Sequence, residues 1–179
     1  MSIDALIDSL PSYAKDLKLN YSSLVRQNTE LSQQKLWGTI VASTIATRSS
    51  TLTTALLAEA ATKLSPQALE AAKSAASTMA MNNIWYRFHH LSSNEKYATL
   101  PARLRMNAIR THRIEPLDFE LWSIAVSAIN GCGRCVDSHE KVVREKGVSE
   151  EEVLSIVRIA AVIHAIGVVL DTERVAVPA

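Results

Sequence analysis

The 179-residue chain has two cysteines, and both lie within the ten residues Asn130-Gly131-Cys132-Gly133-Arg134-Cys135-Val136-Asp137-Ser138-His139. On a helix, positions i, i+3 and i, i+4 share a face, so Cys132, Cys135 and His139 would bring two thiols and an imidazole into contact range. The chemistry open to such a set is thiol–disulfide exchange or attack by a thiolate on an electrophile. The start of a helix suits that role, because its free N–H groups and dipole lower a thiol pKa from about 8.5. A fall of about two units, roughly 2.7 kcal/mol, turns a thiol that is barely ionised at neutral pH into one that is mostly thiolate. Asn130-Gly131 reads as a helix stop and turn, which sets Cys132 near the start of the next helix. Arg134, between the cysteines, adds a positive charge of the same sense that cannot shuttle protons near neutral pH.

The turn also predicts a partner for His139. If the helix from about Pro116 packs antiparallel on the cysteine helix, residues equidistant from the turn meet. Glu120 and His139 then differ by about two residues, or roughly 3 Å of helix rise. Glu120 stands between Phe119 and Leu121-Trp122, and a carboxylate in apolar company needs a partner. A Glu120–His139–Cys135 relay follows, in which glutamate orients and charges the histidine and the histidine withdraws or returns a thiol proton. Two other readings of the same side chains stay open. Cys132, Cys135, His139 and Glu120 could make a zinc site, although carboxylates are less common in structural zinc centres. The cysteines could also be inert core residues.

The elements that must hold this segment read as an all-α, single-domain protein over 1–179, with roughly eight helices. Apolar positions recur at three and four residues, and alternating β-branched runs are hard to find. Ser65-Pro66 looks like an N-cap and first helical proline, opening a helix toward Leu91. Ser149-Glu150-Glu151-Glu152 is a capping box, with Gly147 ending the helix before it. The last helix shows Val153, Ile156, Val157, Ala160, Ala161 and His164 at helical spacing, with His164 expected in the core. Trp37, Trp85 and Trp122 are also expected to pack inside. A looser stretch is expected between Ser92 and Pro116. A weak pseudo-repeat at an offset of 84 pairs Ser43 with Ser127, Ile45 with Ile129 and Ser65 with Ser149, giving half-repeats of about 30–91 and 116–175. At that offset Arg48 and Thr51 take the places of the cysteines.

The run from Phe119-Glu120-Leu121-Trp122 through Ser127-Ala128-Ile129 to the C-x-x-C and His139 closely resembles the AhpD family of alkyl hydroperoxidases, which have the carboxymuconolactone decarboxylase-like fold. The likeness spans essentially the whole chain, including Pro11-Ser12-Tyr13-Ala14-Lys15-Asp16, Leu36-Trp37-Gly38-Thr39 and Met81-Asn82-Asn83. The resemblance implies an all-helical subunit, assembled as a homotrimer, that reduces organic hydroperoxides and regenerates the peroxiredoxin AhpC. It implies electrons from dihydrolipoyl groups on a lipoyl-bearing acyltransferase, kept reduced by dihydrolipoamide dehydrogenase. By position, Cys135 would be the nucleophile that passes through a sulfenic acid. Cys132 would be the proton donor and resolving thiol, and Glu120 and His139 the relay. Some members carry histidine where this chain has Arg134, which is expected to act here as a fixed charge.

Composition narrows the alternatives. A formal net charge of +1 gives no electrostatic reason to expect nucleic acid or an anionic membrane as partner. The N-terminus lacks a basic segment ahead of an apolar run, so a cytoplasmic address is expected, where a cycling disulfide is more at home than a structural one. The stretch Val153 to Leu170 reads as a core helix rather than a membrane span. No bound metal or organic cofactor is expected. The other functions left open are a carboxymuconolactone decarboxylase-like lyase, which would not need both cysteines, and a non-catalytic helical redox switch.

Overall fold

The computed structural model describes residues 2–175; Met1 and residues 176–179, the ends of the expected single domain, lie outside the described residues. In chain order the helices are α1 Ile3–Asp8, α2 Lys15–Tyr21, α3 Gln33–Thr47, α4 Ser50–Lys63, α5 Pro66–Leu91, α6 Lys96–Thr99, α7 Ala108–Thr111, α8 Pro116–Ile129, α9 Gly133–Glu145 and α10 Glu150–Glu173. No strand occurs among the described residues, so the fold is all-α as expected.

Serines start four of the long helices. Ser32, Ser49, Ser65 and Ser149 each accept a hydrogen bond from the backbone N–H three residues on, which satisfies one of the four orphan donors at a helix start. At α10 the capping box is half made. Ser149 Oγ accepts from the Glu152 N–H, but the Glu152 carboxylate turns to Lys35 Nζ, 2.6 Å away, and ties α10 to α3.

Helices α3, α8 and α10 pack on one another at the centre, with α5 against α3 and α8, and α9 against α8 and α5. Every side of α3 is covered from Leu36 to Thr44. Trp122 of α8, fully buried, packs against Gly38, where an added Cβ would come within 2.0 Å of the indole ring. Its Nε1–H donates to the Lys35 carbonyl at 3.3 Å.

Two expectations need correction. His164 is exposed, because the buried face of α10 keeps Ile156 and Ala160 of the expected stripe but runs on through Ile159, Ile163, Ile166 and Leu170. The helix is apolar almost all round, so periodicity did not fix which face turns inward. Trp85 is half-buried, its ring against His89, while Trp37 and Trp122 are buried. Ser65 and Ser149, the N-caps of α5 and α10, keep the offset of 84, while Arg48 and Gly131, the left-handed residues that follow α3 and α8, are 83 residues apart. This register sets Ser49, the N-cap of α4, opposite Cys132, the N-cap of α9. Between α5 and α8 the looser stretch holds only the single-turn helices α6 and α7. By length and composition α10 could cross a membrane, but 50% of its apolar window is buried inside the fold.

Candidate active site

The dithiol is positioned by a Schellman turn. At the end of α8 the Cys132 N–H donates to the Ser127 carbonyl at 3.0 Å and the Gly131 N–H to the Ala128 carbonyl at 3.1 Å. Gly131, at φ +66°, supplies the left-handed residue this motif requires. The chain is thereby delivered straight into α9, with Cys132 as N-cap and Cys135 in the first turn. The Cys132 carbonyl accepts from the N–H groups of Cys135 and Val136, each at 3.0 Å. The two sulfurs are paired as a disulfide, with Cα atoms 5.3 Å apart. Cys132 is fully buried, and Cys135, 4% exposed, lines a cleft.

A polar network clamps this turn to α5. Arg87 Nη1 donates to the Asn130 carbonyl at 2.6 Å, Asn130 Nδ2 to Asn83 Oδ1 at 2.9 Å, and Asn83 Nδ2 to Ser127 Oγ at 2.9 Å. Asn83 is 1% exposed, so both ends of its carboxamide are paired inside the protein.

Glu120 and His139 meet across the antiparallel pair α8–α9. His139 Nδ1–H donates to Glu120 Oε2 at 2.5 Å, with side-chain exposures of 13% and 17%. The other ring nitrogen, Nε2, faces Met79 Sδ of α5 at 3.3 Å. No hydrogen bond joins His139 to Cys135 among the described residues. The two side chains instead line one cleft of about 340 Å³ with Glu120, Asn82, Tyr86, Met106, Ile109 and Arg134. A thioether is a weak acceptor, so Nε2 stays available to exchange a proton with whatever occupies that cleft. Cys135 Sγ lies 3.9 Å from the Asn82 carbonyl oxygen. Arg134 is exposed at the cleft rim, its guanidinium 5.6 Å from the centre of the Tyr86 ring. It forms no ion pair among the described residues. A larger cleft of about 520 Å³, between the start of α5 and α7, contains neither cysteine.

These geometries bear on the zinc reading. The sulfurs face each other and His139 is held between Glu120 and Met79, so the four side chains do not converge. No group of three or more His, Cys, Asp or Glu among the described residues is arranged to hold a metal ion. The residues that sequence reasoning passed over lie on α5: Met79, Asn82, Asn83 and Tyr86, at i, i+3, i+4 and i+7. The signal was present, since two adjacent asparagines on the inner face of a long alanine-rich helix require buried partners. Met106 and Ile109 come from the stretch between α5 and α8, where no periodicity marks them.

The description "Carboxymuconolactone decarboxylase family" matches residues 95–177, which include the dithiol, Glu120 and His139. "Alkyl hydroperoxide reductase AhpD" of Acidobacterium capsulatum is 70% identical over 178 residues, covering 99% of this chain and 97% of the relative. The relatives of that name in Koribacter versatilis and Solibacter usitatus are 56% and 59% identical over 97% of this chain, covering 90% and 97% of their own lengths. With identity of this order running the full length of the chain, the protein belongs to the AhpD family of alkyl hydroperoxide reductases, on the carboxymuconolactone decarboxylase fold.

Proposed function

We propose that the protein is a thiol-dependent alkyl hydroperoxide reductase that also regenerates an AhpC-type peroxiredoxin, with dihydrolipoyl groups as electron source. The observation that carries this reading is the pairing of its only two cysteines, with Cys135 lining a cleft that also holds the Glu120–His139 pair. In the reduced protein the Cys135 thiolate attacks the terminal oxygen of a hydroperoxide. An S–O bond forms, the O–O bond breaks, and the alkoxide leaves with a proton from His139, whose imidazolium Glu120 stabilises. Cys132 then attacks the Cys135 sulfenic acid, releases water and closes the disulfide. A dihydrolipoyl dithiol reopens it by two exchange steps, and its own cyclic disulfide goes back to dihydrolipoamide dehydrogenase. Exchange of the dithiol with an oxidised peroxiredoxin follows the same rules. This chemistry requires neither a bound metal nor an organic cofactor. The same reading makes the protein a cytoplasmic homotrimer with a lipoyl-bearing acyltransferase as donor, and exposed apolar side chains such as Ile84, Phe88, Leu91, Leu154 and Val168 offer surface for assembly.

The test is NADH oxidation in the presence of dihydrolipoamide dehydrogenase, lipoamide and cumene hydroperoxide. Sustained turnover by the protein and none by Cys135→Ser is expected. Cys132→Ser should accumulate a sulfenic acid at Cys135 that dimedone traps. A dithiol that oxidises once without turning over would make the protein a redox switch, and NADH oxidation that survives loss of both cysteines would exclude the dithiol as the reducing group.

A further inference from the structure

We propose that Asn82 is the group that orients a hydroperoxide in the cleft, its carboxamide oxygen accepting a hydrogen bond from the substrate O–H and so holding the terminal oxygen against Cys135. The inference rests on the peroxide-reductase reading of the same cleft. Asn82 is 3% exposed and lines the cleft with Cys135, His139 and Glu120. Its Oδ1 is buried and has no hydrogen-bond partner among the described residues. Buried side-chain acceptors are seldom left so, because water is lost without replacement. The contrast with Asn83 is direct: one residue on, the same side chain is used at both ends to fix the α8–α9 turn. Of the other polar groups of the cleft, Glu120 is engaged by His139, the Tyr86 hydroxyl donates to Met106 Sδ at 3.6 Å, and Ser138 and Arg134 are exposed to solvent rather than buried. The backbone carbonyl of Asn82 lies 3.9 Å from the reacting sulfur of Cys135.

The hydrogen bond persists through the reaction. Before attack the hydrogen belongs to the terminal oxygen of the peroxide. When sulfur gives two electrons to that oxygen and the O–O bond breaks, the same O–H becomes that of the Cys135 sulfenic acid. Asn82 therefore holds the substrate first and then the oxygen that Cys132 must expel. A disulfide substrate has no O–H, so Asn82 acts in the peroxide half-reaction and not in thiol–disulfide exchange.

The difference gives the test. The reduced protein is mixed in single turnover with cumene hydroperoxide and, separately, with dithiodipyridine, and the ratio of the two rate constants is compared across Asn82→Ala, Asn82→Leu and Asn82→Ser. The ratio should fall about tenfold to a hundredfold in the alanine and leucine variants, as expected for one lost hydrogen bond to a reacting group. It should recover in part with serine, which restores an acceptor. A ratio unchanged in all three, or two rate constants that fall together, would overturn the assignment and leave Asn82 a structural residue. The dithiodipyridine rate and the far-ultraviolet spectrum report whether each variant is folded. Absence of any peroxide reaction in the unsubstituted protein would instead remove the peroxide-reductase reading itself.

Discussion

Cys135 and Cys132 differ in reach, as the proposed roles of attacking and resolving thiol require: the first lines the cleft and the second does not. The Glu120–His139 pair is the best-defined polar contact of the cleft. Glu120→Gln removes the charge that favours an imidazolium and should slow peroxide turnover about a hundredfold with little loss of stability. Single-turnover rates with cumene hydroperoxide, measured beside the urea midpoint of each protein, check it. Much of this was legible beforehand. Two cysteines confined to one C-x-x-C, a histidine one turn on, and a carboxylate counted back across a turn suffice to name Glu120, Cys132, Cys135 and His139. Met79, Asn82, Asn83 and Tyr86 were not legible as a set, because they come from α5, and nothing local to the C-x-x-C says which third helix covers it. The structure brings Glu120 to His139 but puts Met79, rather than a thiol, at the other imidazole nitrogen.

At the scale of elements, two glycines matter for opposite reasons. Gly131 has open space where a Cβ would sit but a left-handed backbone, so Gly131→Ala should cost about 1 kcal/mol, read as a modest fall in urea midpoint. Gly38 has an ordinary helical backbone and no space, since the Trp122 ring occupies the Cβ position. Gly38→Ala should therefore cost more, about 3 kcal/mol, and alter Trp122 fluorescence. Arg48 holds the left-handed position at the end of α3 with an exposed side chain. Arg48→Gly should stabilise the fold by up to about 1 kcal/mol in the same assay. Helix starts were readable because Ser65-Pro66 and Ser149-Glu150-Glu151-Glu152 carry local capping chemistry. The inward face of α10 was not, because a helix apolar on all sides has its rotation set by α3 and α8 rather than by its own pattern.

For the whole molecule, stability and redox state are the measurable quantities. Asp118, 3% exposed near the start of α8, has its carboxyl pushed above the usual aspartate range by burial, partly offset by the hydrogen bond from Gln34 Nε2 at 2.7 Å and by nearby Lys35. The folded state thus holds this proton more tightly than the unfolded chain does. Its contribution to stability is fully present below the ordinary aspartate pKa of about 3.9 and is lost as pH rises through the higher folded value. Asp118→Asn keeps an acceptor for Gln34 and removes the loss, so its melting temperature should exceed that of the parent at neutral pH and converge with it in acid. The proposed trimer predicts three times the mass of one chain by sedimentation equilibrium. The central claim, that Cys132 and Cys135 cycle between dithiol and disulfide, is tested most directly by counting thiols. The reduced protein is titrated, then titrated again after one equivalent of cumene hydroperoxide, and once more after dihydrolipoamide. Two thiols per chain that vanish together with peroxide and return together with the lipoyl donor are the predicted result; thiols that stay present after peroxide, or that dihydrolipoamide fails to restore, would contradict it.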